Sequence, residues 1–236
     1  MRDNAACAAT SRIVQTAPEP MRGCVVERVP GLRIIYDVMT CQEELKAMRE
    51  LAADTTSQPA GNIHAASQWG WTFHSCRCML DESRDRLSPV PEWMIDLVER
   101  AREADPERCC MPADCDWGAG VQHALLNVYA PGDGIRAHVD DRSFWTRWVL
   151  GLSLGTSVIM RFDNDKSCEH ELISIPPRSL YVLTDCARYQ WSHSIERHMH
   201  DIVDGIPVAR GFRASITMRG INDKWLPHSR AFTRDE

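Results

Sequence analysis

The chain has 236 residues, of which 44% are hydrophobic and 25% charged, as is ordinary for a soluble globular protein. Its formal net charge of −6 argues against a broad basic surface that would hold a polyanion non-specifically, although a local basic groove is compatible with it. No apolar run approaches the roughly 18 residues that a membrane-spanning helix needs. This length fits one core-forming domain, which we place at residues 23–230.

Residues 1–22 are rich in alanine, threonine and proline without sustained periodicity, so we expect a disordered tail. Scattered arginines leave open a weak organelle-targeting segment, although Asp3 and Glu19 argue against one. The chain carries 10 cysteines without a signal-peptide pattern, so we expect reduced thiols and an intracellular location, in the cytoplasm or nucleus. A structural zinc is an alternative use of the cysteines between residues 76 and 115, although none has paired CxxC spacing.

Strands and helices alternate in the predicted N-terminal half. β-Branched and aromatic residues over 31–38 favour a strand. Thr40 is suited to cap a helix running from Cys41 to about Ala53, with glutamates in its first turn. Aromatic and small residues alternate over 68–73 like a strand, and a second helix is expected over 91–104, where proline is tolerated in the first turn. The apolar stripe of the first helix would consist of Leu45, Met48 and Leu51.

From residue 121 onward the pattern changes to short strands separated by turns. Short strands at regular spacing are typical of an all-β sandwich or barrel rather than of strands that alternate with helices. We therefore predict a mainly β fold with flanking helices (α+β), built on a jelly-roll core. The predicted strands span 121–129, 135–140, 147–154, 157–162, 169–175, 179–184, 188–195 and 211–219.

A dense turn sequence from Pro131 to Gly134 separates two of these strands, and the second strand carries candidate metal ligands. His138 and Asp140 are two residues apart, so on a strand their side chains point to the same face. Such a pair also arises by chance, and a third ligand must come from elsewhere in the chain. His193 is the preferred candidate because it stands between large apolar neighbours on another predicted strand.

Two further histidines, His198 and His200, compete with His193 on spacing, but their charged neighbours indicate a solvated turn. Two histidines and one carboxylate form the facial triad of non-haem Fe(II) oxygenases, in which the open positions take a bidentate co-substrate and dioxygen. The sequence therefore indicates an iron site at His138, Asp140 and His193, against the alternative that each is an ordinary core or surface residue.

The last predicted strand places arginines on its polar face. Arg213 and Arg219 share that face with two hydroxyl side chains, and charged groups on a core strand are costly unless anions meet them. A dicarboxylate co-substrate would supply such anions, because guanidinium binds carboxylate in a bidentate manner. The alternative is that both arginines lie at the rim and pair with acidic side chains.

Together these residues resemble the AlkB family of Fe(II)- and 2-oxoglutarate-dependent dioxygenases, over about residues 25 to 220. The segments that carry the resemblance are Asn127-x-Tyr129-x-Pro131-Gly132, His138-x-Asp140, Ser153-Leu154-Gly155, Arg188-Tyr189-x-Trp191-x-His193 and Arg213-x5-Arg219. Gly31-Leu32 and Gln68-Trp69-Gly70-Trp71-x-Phe73 are similar to the N-terminal extension of the family.

This resemblance implies a double-stranded β-helix that holds iron through His138, Asp140 and His193, with Arg213 on the distal carboxylate of 2-oxoglutarate. Ser215 stands where many members of the family carry asparagine. The implied reaction uses dioxygen to convert 2-oxoglutarate to succinate and CO2 while it hydroxylates a C–H bond; on an N-methyl group the result is demethylation. The remaining residues of the co-substrate pocket would be Asn127, Tyr129, Ser215 and Arg219.

The substrate implied by the resemblance is an alkylated or modified nucleobase in DNA or RNA, including tRNA. The sequences of residues 131–135 and of Ser179-Leu180 are more similar to the eukaryotic-type branch of the family, which includes the tRNA wobble-uridine hydroxylase, than to the bacterial repair enzyme. Residues 65–67 lack the basic side chains found there in related sequences, which favours RNA or single strands over duplex DNA. The alternatives are the same chemistry on a protein side chain or small molecule, and a non-catalytic jelly-roll binding module. We expect a monomer that does not bind membranes.

Three aromatic residues of the predicted strand over 68–73, Trp69, Trp71 and Phe73, have two interpretations. They could stack on a flipped base. Aromatic side chains at alternating positions of a strand are, however, more often part of the core.

Overall fold

The structure is a computed structural model that describes residues 23–53, 65–72, 80–105, 111 and 120–227. The predicted N-terminal tail and the cysteines between residues 76 and 115 lie outside these ranges. None of the described helices is long and apolar enough to cross a bilayer. The free cysteines among the described residues are Cys24, Cys41, Cys168 and Cys186.

The described helices are α1 (Cys41–Ala53), α2 (Glu82–Asp85), α3 (Glu92–Glu103) and α4 (Asp185–Tyr189), and a short 3-10 helix spans Asp223–Trp225. The described strands are β1 (Gly23–Val25), β2 (Leu32–Ile35), β3 (Ala65–Gly70), β4 (His123–Tyr129), β5 (Ile135–His138), β6 (Trp145–Gly155), β7 (Val158–Asn164), β8 (Glu169–Ile175), β9 (Ser179–Leu183), β10 (Trp191–Ile195), β11 (His200–Val203), β12 (Ile206–Ala209) and β13 (Arg213–Ile221).

Two antiparallel sheets form the centre of the molecule. The larger sheet has the strand order β1-β2-β9-β6-β13-β4-β3, and the smaller sheet has the order β5-β10-β7-β8. Apolar side chains of β2 and β9 in the larger sheet pack against those of β7, β8 and β10 in the smaller one. The prediction of a mainly β fold with a jelly-roll core, the double-stranded β-helix, is confirmed.

Strand β13 lies between β6 and β4 and separates two environments. Ala214, Ile216 and Met218 belong to the core that α3 closes on the outer face of the larger sheet. Side chains of a strand alternate between its two faces, so the residues that alternate with these three face the smaller sheet. They are Arg213, Ser215, Thr217 and Arg219. This alternation puts the polar residues of β13 between the sheets, as predicted.

Helix α1 begins and ends where the sequence predicts. The Glu43 backbone N–H donates to Thr40 Oγ1 over 3.2 Å, and the Thr40 backbone N–H donates to Glu43 Oε2 over 2.7 Å. This reciprocal pair is a capping box. The predicted stripe is wrong at Leu45, which is 58% exposed, because the helix contacts the core through Ala47, about 200° further around its axis. The other two members of the stripe, Met48 and Leu51, are partly buried against the core.

Several strand bounds in the C-terminal half differ from the prediction; β13, for example, spans Arg213–Ile221 rather than 211–219. The strand predicted over 188–195 begins only at Trp191, because Asp185–Tyr189 forms the short helix α4. Trp191 and His193 are buried, as expected for inward-facing residues of β10.

The segment around His198 and His200 is solvated as predicted, since both histidines are exposed, but His200 begins β11 of a two-stranded hairpin instead of lying in a turn. A buried ion pair, in which Arg210 Nε donates to Asp201 Oδ2 over 2.8 Å, joins the two sides of the hairpin at its base. The same carboxylate oxygen accepts the backbone N–H of Ile159 on β7 over 3.2 Å. His198 is exposed and bonds to a glutamate beside it, away from the candidate metal ligands.

Candidate metal and co-substrate site

A cavity of about 400 Å3 lies between the two sheets. Strands β4, β9 and β13 form its wall on the larger sheet, and β5, β7 and β10 contribute from the smaller sheet. All the site residues predicted from the sequence line this cavity, and they are His138, Asp140, His193, Asn127, Tyr129, Arg213, Ser215 and Arg219.

Three potential metal ligands converge on the smaller sheet. His138 on β5 lies directly opposite His193 on β10, and their ring centroids are 4.4 Å apart. One side-chain ligand atom from each of these histidines and from Asp140 lies within 4.8 Å of the other two. His193 Nε2 is 3.8 Å from Asp140 Oδ2. Strand β5 ends at His138, so Asp140 reaches the group from the segment after the strand and not from the strand itself.

Neighbouring groups orient these ligands. His138 Nδ1 donates to the backbone carbonyl of Arg136 over 2.9 Å, which leaves the Nε2 lone pair available for a metal. The buried Arg188 guanidinium donates to the backbone carbonyls of Asp140 at 3.0 Å and Asp141 at 2.7 Å. A third hydrogen bond of 3.2 Å joins Arg188 Nε to the Thr146 carbonyl. Arg188 therefore fixes the segment that carries the carboxylate ligand.

Asp140 and His193, two of the three candidate ligands, have the protonation states that a divalent metal requires. Burial opposes ionisation of Asp140, but the charge of Arg219 and the nearby imidazoles outweigh it and hold the pKa of this carboxyl well below its usual range. Burial, together with the neighbouring His138, lowers the pKa of His193 to about 3. At neutral pH the group thus offers one carboxylate and a neutral buried imidazole, a donor set that suits iron.

Arg213 lies in the same cavity and makes no ion pair with a described carboxylate. Its side chain is 3% exposed, and burial lowers its pKa although the group remains charged. Nε donates to Ser153 Oγ over 3.2 Å, and the guanidinium carbon lies 5.1 Å from the ring centre of Tyr129. Nη1 and Nη2 have no hydrogen-bond partner among the described residues, and neither has Asn127 Oδ1 nearby. A buried guanidinium with two free N–H edges fits a carboxylate ligand.

Arg219 has a different environment, at the opposite end of the polar face of β13. Its Nη2 donates to Asp140 Oδ1, so the second arginine pairs with a candidate metal ligand. Six residues of strand separate it from Arg213, roughly 20 Å. The two arginines therefore do not hold one carboxylate group together, and a co-substrate contact of Arg219 stays a prediction.

Several cavity residues escaped the sequence analysis. His123 lies on β4 and shares the inward face of Asn127 and Tyr129, so the period of two could have identified it. Tyr181 on β9 fills the space opposite Gly151, where a Cβ atom would lie 1.8 Å from the tyrosine Cζ. Burial raises the pKa of this tyrosine to about 12, so it stays protonated.

The tryptophans considered for base stacking belong to the core instead. Trp69 and Trp71 are 2% and 4% exposed, and neither lines the cavity. Trp69 packs in the core under α3, and Trp71 packs in a separate cluster with Phe144. The stacking interpretation is therefore wrong for these two residues, and Phe73 lies outside the described residues.

Comparison with known proteins assigns a family. Residues 31–219 match the family described as the 2OG-Fe(II) oxygenase superfamily. Uncharacterized protein L905 of Acanthamoeba polyphaga mimivirus is 39% identical, in an alignment that covers 84% of this chain and 88% of that protein. Mouse ALKBH8, a tRNA (carboxymethyluridine(34)-5-O)-methyltransferase, is 25% identical over 84% of this chain but only 28% of its own length.

A solved structure supports the fold. The structure of OsALKBH1 superposes with a TM-score of 0.57 at 14% identity, covering 81% of this chain and 97% of that one. The match extends over most of both chains, so they share the double-stranded β-helix.

Proposed function

The chain belongs to the 2OG-Fe(II) oxygenase superfamily and is an AlkB-like dioxygenase, and we propose that it oxidises an alkylated or modified nucleobase. As a member of this superfamily it uses Fe(II), 2-oxoglutarate and dioxygen. The observation that carries the assignment of its site is the convergence of three ligand groups in one cavity with a buried arginine whose terminal nitrogens lack partners.

We assign the binding roles from these contacts. His138, Asp140 and His193 would hold the metal, and Arg213 would bind the distal carboxylate of 2-oxoglutarate. Asn127, Tyr129 and Ser215 border the Arg213 end of the cavity and would complete the co-substrate pocket. When bound, the metal, co-substrate and dioxygen supply the oxidation of a substrate C–H bond. The residues of this chain bind and orient these groups and keep water from the buried ligands.

The nucleobase assignment has two supports. The name of the mouse relative describes the modification of a tRNA uridine, although this chain spans only 28% of its length. The cavity of about 400 Å3 has the size of small-molecule sites in general. We propose RNA or single-stranded nucleic acid rather than duplex DNA, because the net charge of −6 disfavours tight binding to a duplex and an unpaired base needs no extrusion.

We further propose that the enzyme acts as an intracellular monomer. The described cysteines Cys24, Cys41, Cys168 and Cys186 are all free, as expected in a reducing compartment. Size-exclusion chromatography with light scattering would test the oligomeric state, and a dimer would contradict it.

The function is tested by following two products in one reaction. Wild-type protein with Fe(II), ascorbate and 2-oxoglutarate is incubated with methylated single-stranded oligonucleotides, the matching duplexes, or tRNA. We expect succinate together with a changed nucleoside, measured by mass spectrometry. His138→Ala should abolish both products, whereas His170→Ala, which alters an exposed histidine of β8, should not.

The outcomes separate the alternatives. Formation of succinate without any change in a nucleoside would indicate that the substrate is a protein side chain or a small molecule. Absence of succinate together with absence of metal-dependent 2-oxoglutarate binding would overturn the assignment of the site itself. Faster turnover of duplex than of single strands would contradict the preference proposed for unpaired bases.

A further inference from the structure

His123 occupies the end of the cavity away from Arg213. It lies on β4 directly opposite Arg219, whereas Tyr129 on the same strand lies opposite Arg213. His123 and Tyr129 are six residues apart, roughly 20 Å along a strand. His123 therefore borders the cavity far from the co-substrate carboxylate and near the Arg219–Asp140 pair.

The imidazole of His123 is held in one orientation. Its side chain is 1% exposed, and its ring centroid lies 4.7 Å from that of Trp145. The guanidinium of Arg219 stacks over the same indole, 5.0 Å from its centroid. The three groups form one packed wall of the cavity, so the ring has little freedom to turn.

This packing also determines which ring nitrogen carries hydrogen. Arg219 Nη1 lies 3.5 Å from His123 Nδ1, and guanidinium nitrogens only donate. A hydrogen on Nδ1 would place two donors face to face. Nδ1 therefore presents its lone pair to the arginine, and the hydrogen of the neutral ring is on Nε2.

This Nε2–H group lacks an acceptor. It is buried, and it has no hydrogen-bond partner among the described residues. A buried donor left unpaired is unfavourable, so native proteins normally provide an acceptor. Because His123 borders the cavity, a bound guest is the natural source of that acceptor.

We propose that His123 is a specificity-determining residue whose Nε2–H donates to a ring carbonyl oxygen of the guest base. The proposal rests on the proposed nucleobase function and names the class of base. Uracil, cytosine and guanine carry a ring carbonyl, whereas adenine carries an exocyclic amino group and no carbonyl. Adenine has acceptors only at its ring nitrogens; where uracil carries its two carbonyl oxygens, adenine carries an amino group and a C–H group, neither of which accepts. A fixed donor aimed at a ring carbonyl therefore matches the former bases and not adenine, the arrangement by which hydrogen-bonding sites reject analogues.

Paired variants and paired substrates test this assignment. His123→Gln retains an N–H donor near the position of Nε2, and His123→Leu removes it at similar volume. Each is assayed with single-stranded oligonucleotides that carry either 3-methyluracil or 1-methyladenine. Wild type should prefer 3-methyluracil. His123→Leu should raise the KM for 3-methyluracil by about tenfold or more, and the KM for 1-methyladenine by less than about twofold. The KM of His123→Gln for 3-methyluracil should lie between those of wild type and His123→Leu. Thermal melting shows whether the variants fold.

The tautomer is checked without turnover. Long-range 15N–1H NMR of the imidazole, assigned through the signal lost in His123→Gln, should show hydrogen on Nε2. Hydrogen on Nδ1 would overturn the proposal whatever the enzyme oxidises. Equal losses for both bases in His123→Leu, or a wild-type preference for 1-methyladenine, would overturn it while the nucleobase function stands. Wild type that forms succinate but changes neither base nor any tRNA nucleoside would overturn both.

Discussion

At the scale of single residues, Arg213 combines burial, charge and free hydrogen-bond donors. Its nearest partners are a serine hydroxyl and the ring of Tyr129, which do not neutralise a guanidinium. Protein interiors accept such a group when a ligand supplies the counter-charge. In its proposed role, Arg213 would serve binding at the expense of the stability of the unliganded protein.

Arg213→Met should therefore act with opposite signs on binding and stability. We expect the apparent KM for 2-oxoglutarate to rise about a hundredfold or more, because the buried distal carboxylate of the co-substrate loses the guanidinium that would pair with it. The unliganded variant should be at least as stable as wild type in urea unfolding. Arg178→Met is the matched control, since Arg178 pairs with Glu44 and Asp37 outside the cavity. An unchanged KM for Arg213→Met would contradict its assignment.

His123 also makes stability depend on pH. Burial, and next the charge of Arg219, lower its pKa well below the usual value, so below about pH 6.5 the unfolded chain binds a proton that the folded protein does not. Stability is therefore lost as the pH falls. For one such histidine the slope approaches about 1.4 kcal/mol per pH unit. His123→Gln should lower the slope measured by urea unfolding between pH 7 and 5, and an identical slope would refute this origin.

At the scale of elements, the segment between β5 and β6 carries Asp140 without being a strand. Its backbone carbonyls are held by Arg188, which lies 48 residues away from Asp140 in the sequence. The position of the candidate metal carboxylate therefore depends on helix α4, which carries Arg188 and replaces the start of the predicted strand. No local pattern around His138 and Asp140 contains this information.

Arg188→Met should loosen that segment. Removal of the guanidinium leaves the carbonyls of Asp140, Asp141 and Thr146 without their donor, so we expect Fe(II) affinity to fall about tenfold or more. Anaerobic titration with Fe(II) measures this loss. Arg197→Met, at an exposed position, should keep the wild-type affinity. Equal affinities in the two variants would show that Arg188 does not position the carboxylate.

The N-terminal cap of α1 gives a prediction at the same scale. Thr40→Ala removes one side of the capping box and should lower the free energy of unfolding by about 1 kcal/mol. The urea midpoint measures this change. The cap lies on the outer face, so the KM for 2-oxoglutarate should not move; a large change in KM would indicate coupling between α1 and the cavity.

The elements differ in how far the sequence determines them. Helix α1 was predictable because its cap and first-turn acids are local signals, and β13 because apolar and polar residues alternate along it. The β11–β12 hairpin was not, because the buried pair Arg210–Asp201 that fixes it joins residues of ordinary charged composition. The site ligands were predictable by type and spacing, whereas the bond from Arg219 to Asp140 joins positions 79 apart in sequence.

At the scale of the whole molecule, the site divides between the two sheets. The candidate metal ligands belong to the smaller sheet and its adjoining segment, and Arg213 belongs to the larger one. A co-substrate bound to both the metal and Arg213 would connect the sheets. The free energy of that connection adds to the stability of the native state.

Metal and co-substrate should accordingly stabilise the protein together. Under anaerobic conditions, Fe(II) plus 2-oxoglutarate should raise the melting temperature more than the sum of the separate shifts. Differential scanning calorimetry measures the three conditions. In Asp140→Asn, the shift in melting temperature with both ligands should not exceed the sum of the separate shifts. Strictly additive shifts in wild type would argue that the two ligands bind independently.

Gly151 and Tyr181 carry a consequence for the evolution of the cavity. A side chain at position 151 would collide with the tyrosine ring, since even a Cβ atom would lie 1.8 Å from Cζ. The two positions face each other on β6 and β9, so position 151 cannot gain a side chain while Tyr181 stays. Descendants of this sequence that keep the tyrosine should therefore keep the glycine. A lineage that acquires a smaller residue at 181 gains freedom at 151, and with it a route to reshape the chamber for a different guest.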